Sequence, residues 1–159
     1  MRAALRRLRG AVRIVGLSTF YRTAPLNRPE QAPFVNGVIA VETDLPPHAL
    51  KYTLLRQIEA ELGRCRTADK YAPRTIDLDL LAYDALVLTG EDLVLPDPEI
   101  VQRAFLAVPF CELAPDYVLP DSGRRLREVA DTFCASSMTP LTAFTEQLRK
   151  DNVDGLSES

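Results

Sequence analysis

Arg74-Thr75-Ile76-Asp77-Leu78-Asp79-Leu80-Leu81 is the stretch on which the fold turns. Successive side chains of a strand point to opposite faces, so Ile76, Leu78 and Leu80 share one side and Asp77 and Asp79 the other. The apolar side predicts packing on a core, and residues 75–83 are expected to form a strand. Two carboxylates side by side repel unless a cation or protons lie between them. Aspartate is also a poor strand former. The pair therefore points to a hard, oxygen-loving ion such as magnesium, held by the carboxylates together with substrate phosphates. The alternative is a solvated strand face that carries two acids.

Moving outward, the loop before this strand places Arg64, Arg66, Lys70 and Arg74 within eleven residues. Beside a metal-binding acid pair these cations suit a polyphosphate, whose transfer is mostly positioning and charge neutralisation; taken alone they fit a solvated loop. GxxxxGK[ST] has no match, so a nucleotide would be held without a Walker A loop. Upstream, Pro46-Pro47 opens a helix to about Leu62, with Leu50, Leu54, Ile58 and Leu62 on one stripe and Gly63 as its stop. Residues 12–23 and 34–43 are rich in β-branched and aromatic side chains and predict two strands. In the second, Phe34 and Asn36 share a face while Val35, Ile39 and Val41 take the other. An aromatic ring two residues from an amide can stack on a flat heterocycle and bond to its edge; a core Phe and a turn Asn are the plainer reading. Residues 1–9 predict a helix ending at Gly10. A short strand is expected near Ala85–Leu88, a turn at Pro96–Pro98, and helices near 103–113 and 125–133. The order points to an α+β sandwich.

Composition narrows the class. A chain of 159 residues, 47% hydrophobic and 26% charged, fits one domain and excludes wholesale disorder. No apolar run reaches the length of a membrane span. Cys65, Cys111 and Cys134 form no CxxC pair, which disfavours a disulfide scaffold or structural zinc and favours a reducing, cytoplasmic compartment. His48 is the only histidine, so most Ser-His, Cys-His and His-metal chemistry is removed. A net charge of -3 argues against nucleic acid as partner. The cations comprise sixteen arginines and three lysines; the planar fork of arginine grips phosphate and carboxylate well, although codon bias would produce the same excess.

Several blocks in order now converge on a family. Tyr21-Arg22-Thr23-Ala24-Pro25-Leu26, Phe34-Val35-Asn36, Gly63-Arg64-Cys65-Arg66, Pro73 to Leu81, Arg103-Ala104-Phe105 and Glu112-Leu113-Ala114-Pro115 together resemble the 6-hydroxymethyl-7,8-dihydropterin pyrophosphokinases of folate biosynthesis. The resemblance implies a ferredoxin-like α+β sandwich and transfer of pyrophosphate from MgATP to the pterin hydroxymethyl group, releasing AMP. A non-catalytic pterin- or nucleotide-binding relative is the alternative. It implies two magnesium ions on Asp77 and Asp79, with Arg64 and Arg74 gripping the transferred group. Glu59, Arg66, Tyr71 and Arg103 would serve ATP. Phe34 and Phe105 would sandwich the pterin ring, with Thr23, Asn36, Pro25 and Leu26 at its edge. Small-molecule substrates are the implied partners.

Three departures accompany the match. The family opens with a strand and a Gly-Ser-Asn loop, whereas this sequence starts within the following helix. Asp97 stands in the Pro96-Asp97-Pro98 turn where the family usually has histidine. Residues 136–159 extend beyond a pyrophosphokinase-like domain at 1–135. Without the first strand, residues 12–23 and 75–83 are expected to expose ladder edges, unless the true start lies upstream or the tail or a second copy in a homodimer covers them. Residues 139–148 fit either role: Leu141, Ala143 and Thr145 alternate, while Leu141, Phe144 and Leu148 make a helical stripe.

Overall fold

A computed structural model describes residues 1–25, 30–64, 68, 76–134 and 138–154. Helix α1 spans Arg2–Arg9 and buries Ala4, Leu5 and Leu8, with Gly10 closing it. The expected strand 12–23 forms in two pieces, β1 (Arg13–Leu17) and β2 (Tyr21–Thr23). Its partner 34–43 breaks opposite, into β3 (Phe34–Asn36) and β4 (Ile39–Glu42). The cause is Phe20, which leaves the ladder for the core and is 1% exposed. It lies against Gly37, where a Cβ would come within 2.6 Å of the ring, so only glycine lets the two strands pass there. Ser18 bridges the break: its N–H donates to the Val38 carbonyl at 3.0 Å and its hydroxyl accepts from the Val38 N–H at 2.8 Å. The break also undoes the single inner face expected for Val35, Ile39 and Val41. β3 and β4 belong to different ladders, so Ile39 and Val41 pack inward while Val35 is exposed.

β1 pairs with β4, and β2 lies between β3 and β7 (Met138–Pro140), all antiparallel. The expected strand near Ala85–Leu88 occurs slightly later, as β5 (Leu88–Thr89) paired with β6 (Val94–Leu95). The helix expected from Pro46 begins with a π-helical stretch, Ala49–Leu55, that passes into α2, Arg56–Glu61. Five-residue spacing in the π turns rotates the stripe, so Leu55 rather than Leu54 joins Leu50 and Ile58 in full burial. A 3-10 turn, Pro98–Val101, leads to α3 (Ala104–Leu113), followed by α4 (Leu126–Asp131) and α5 (Thr142–Asp154).

Residues 76–83 run extended with Ile76, Leu78 and Leu80 turned inward, yet among the described residues they enter no ladder. Their inward side packs on a cluster of Ala4, Leu8, Val12, Leu50, Leu55 and Ile58. A second cluster joins α3 and α4 through Ile100, Ala107, Leu119, Leu126 and Val129. A third gathers Leu5, Leu17, Phe20 and Leu148. The tail folds back through its helical stripe: α5 lays Leu148 and Phe144 on Phe20, with the two rings edge-on at 6.1 Å, while the alternating Leu141, Ala143 and Thr145 form no strand and the short β7 just before them pairs along β2. The whole is an α+β arrangement of antiparallel ladders with helices packed on them, and no helix among the described residues is long and apolar enough to cross a membrane.

Candidate active site

Asp77 and Asp79 project together from the open side of the extended segment, as the period of two requires. Side chains fix that segment where a neighbouring strand would otherwise do so. Glu59 on α2, only 3% exposed, accepts the Leu78 N–H at 2.7 Å through Oε1. Arg64 Nη1 donates to Glu59 at 2.5 Å and to Asp77 Oδ1 at 2.6 Å. Burial works to lower the Arg64 pKa, but Asp77, Glu59 and Asp79 outweigh it, and the guanidinium is held more firmly protonated than usual. At the far end, the Asp97 N–H donates to the Leu81 carbonyl at 2.7 Å.

Asp79 bears the strain of the site. Protein packed around it withdraws water, and Asp77 adds like-charge repulsion; together they push its carboxyl up to about 6. Asp97 and Glu59 add to the negative field, while Lys51 opposes it. Asp97 also feels burial first, which raises its pKa, and its carboxylate accepts the Glu99 N–H at 2.8 Å to cap the 3-10 turn. Among the described residues no three of His, Cys, Asp and Glu gather into a protein cage for a metal. Two carboxylates crowded on the open side, with Asp79 partly shielded by the protein around it, fit a hard divalent ion that takes its remaining oxygens from water and phosphate.

The second group lies on the β2–β3 hairpin. Thr23 stands opposite Phe34 and Tyr21 opposite Asn36 in the ladder. Asn36 Nδ2 donates to Thr23 Oγ1 at 2.7 Å, which orients the amide across the hairpin. Phe34 is 41% exposed, an open aromatic face rather than a core ring. Pro25 is half-buried beyond the hairpin's end, and Phe105 half-buried in the first turn of α3. Just before it, Arg103 faces Glu99 at 3.5 Å. Leu26, Arg66, Tyr71 and Arg74 lie outside the described residues.

Sequence reasoning placed the carboxylate pair on one side but passed over Lys51, because it lies more than twenty residues before the pair in sequence. It also read Glu59 only as part of a nucleotide pocket, where the structure shows a buried brace beneath the carboxylates. A single acid on the inner stripe of a helix was the signal for that role.

The family described as 7,8-dihydro-6-hydroxymethylpterin-pyrophosphokinase matches residues 1–115, most of the chain. The chain belongs to this pyrophosphokinase family. A relative in Methylorubrum extorquens named 2-amino-4-hydroxy-6-hydroxymethyldihydropteridine pyrophosphokinase is 43% identical over 117 residues, 74% of this chain and 72% of its own. The pyrophosphokinase of Haemophilus influenzae is 38% identical over 80% of this chain and 78% of its own. The folic acid synthesis protein fol1 of Pneumocystis carinii is 31% identical over 84% of this chain, which spans only 18% of that longer protein. The carboxylate pair and the Phe34–Asn36 hairpin both lie within the stretch matched to the family.

Proposed function

We propose that this pyrophosphokinase-family protein transfers the terminal pyrophosphoryl group of ATP to the hydroxymethyl oxygen of 6-hydroxymethyl-7,8-dihydropterin. A bond forms from that oxygen to the β-phosphorus, the bond from the β-phosphorus to the oxygen shared with the α-phosphate breaks, and AMP leaves. The hydroxyl proton is released. The observation that carries this reading is the exposed Asp77–Asp79 pair, held forward by Arg64 and Glu59 in a chain of this family. A protein that only held a pterin would have no use for two crowded carboxylates.

Asp77 and Asp79 would hold magnesium, two ions in the fullest form of the reading, supplying charge neutralisation to the phosphates. Arg64 holds Asp77 in place and, with Arg74, meets the transferred group. Arg66, Tyr71 and Arg103 serve the nucleotide, and Glu59 supports its pocket from beneath. Phe34 and Phe105 clasp the pterin ring, while Thr23, Asn36, Pro25 and Leu26 read its edge. The partners are these small molecules, and a cytoplasmic setting fits the use of ATP.

Mixing the protein with ATP, magnesium and the hydroxymethyldihydropterin tests the reading. AMP and a pyrophosphorylated pterin should appear in equal amounts and cease on chelation. Tight binding of both substrates with no AMP would instead make the protein a non-catalytic relative.

A further inference from the structure

Glu112 lies outside both groups of site residues, yet it is the point where helix α3 is fastened to the hairpin strand β2. Its Oε2 accepts the Thr19 N–H at 2.8 Å, and its Oε1 accepts the Tyr21 hydroxyl in a short hydrogen bond. The contact lies at the C-terminal end of the helix: a Cβ on Gly16 would come within 3.1 Å of Leu113 Cδ2, so the end of α3 sits directly on β1 as well. Tyr21 is the ladder partner of Asn36, and two residues on Thr23 faces Phe34. On the helix side, Phe105 precedes Glu112 by seven residues, close to two full turns, so the two share a face of α3.

We propose that Glu112 is a positioning residue that sets the separation and register of the two walls of the pterin slot, Phe34 with Asn36 on the hairpin and Phe105 on α3. A carboxylate suits this task because its two oxygens take one donor from the backbone at Thr19 and one from the side chain of Tyr21, fixing both distance and direction. It makes no contact with a substrate in this role. The role presupposes the ring slot proposed above.

The test compares Glu112→Ala, Glu112→Gln and Tyr21→Phe with a parallel Phe34→Ala in the full chain, reading pterin affinity by direct titration, KM for each substrate, kcat and melting temperature. Glu112→Ala should weaken pterin binding about tenfold, the order expected from displacing a positioned group by a fraction of an ångström. KM for ATP should stay within about twofold. Glu112→Gln, which keeps one carbonyl acceptor, should recover most of the loss, and Tyr21→Phe, which keeps the Thr19 arm, should fall between. Wild-type pterin affinity in a folded Glu112→Ala, or pterin and ATP constants rising together in step with lost stability, would overturn the assignment. If Glu112→Ala does not fold, Tyr21→Phe decides by the same criteria. A Phe34→Ala protein that still binds the pterin normally would show instead that the slot lies elsewhere.

Discussion

Asp79 is the residue at which charge, burial and chemistry meet. Its carboxyl titrates near 6 in the folded chain and near 3.8 without the fold's influence, so the folded state binds the proton more readily. Ionisation therefore costs stability above pH 6, and the cost disappears below about pH 4, where both states are protonated. With a chelator present, Asp79→Asn should melt higher than the parent at pH 7–8 and level with it near pH 4. Added magnesium should raise the parent's melting temperature at pH 7–8 but not the variant's, and transfer by the variant should fall by on the order of 10². A variant that makes AMP at the parental rate would remove the metal from this pair. At the other wall of the site, Phe34→Ala should weaken pterin binding by about 1–3 kcal/mol while leaving ATP affinity near its starting value. Exposure of the ring makes this a clean test, since little folding energy depends on it.

At the scale of elements, residues 76–83 behave unlike an ordinary strand. Their inward Ile76, Leu78 and Leu80 were legible from the alternation, and so was the outward side of the two aspartates. What held them was only half legible: Glu59 on the inner stripe of its helix marks a buried acid, but its bond to the Leu78 N–H depends on the approach of α2, which no local pattern records. Breaking a buried ion pair by removing one partner typically costs about 3–5 kcal/mol. Glu59→Ala should therefore destabilise the protein by about that amount, and lower transfer further by letting Asp77 wander; denaturant melts and AMP assays at matched folded fraction separate the two effects. Helices α1, α3 and α4 lie close to their expected spans, since apolar spacing and terminal Gly or Pro mark them directly. The strands 12–23 and 34–43 could not be read correctly as unbroken, because the break depends on Phe20 meeting Gly37 across the hairpin. The π-helical start of the second helix was hidden for a similar reason: Leu54 and Leu55 are equally apolar, and only packing chooses between them.

At the scale of the whole molecule, the tail is a structural part of the first third of the chain. Leu148 is fully buried against Leu5, Leu17 and Phe20. Thr145, 1% exposed, accepts the Phe20 N–H at 2.9 Å. Arg149 donates to the Leu17 carbonyl at 3.0 Å, and Arg9 on α1 donates to the carbonyl of Asp151 at 2.9 Å. Leu148→Ala should cost about 2–5 kcal/mol. Deleting residues 136–159 should lower the melting temperature sharply and leave the β2 edge open to association, read by thermal melting and light scattering. A monomer as stable as the full chain would show that the tail is dispensable.

The bond between Phe20 and Thr145 joins positions 125 residues apart. On the ribosome, then, the hairpin that carries Thr23, Phe34 and Asn36 emerges long before the helix that completes its core. Until α5 is made, Phe20 has no ring to meet and its amide no hydroxyl to bond, so the hairpin can reach its final packing only after Thr145 and Leu148 have left the ribosome.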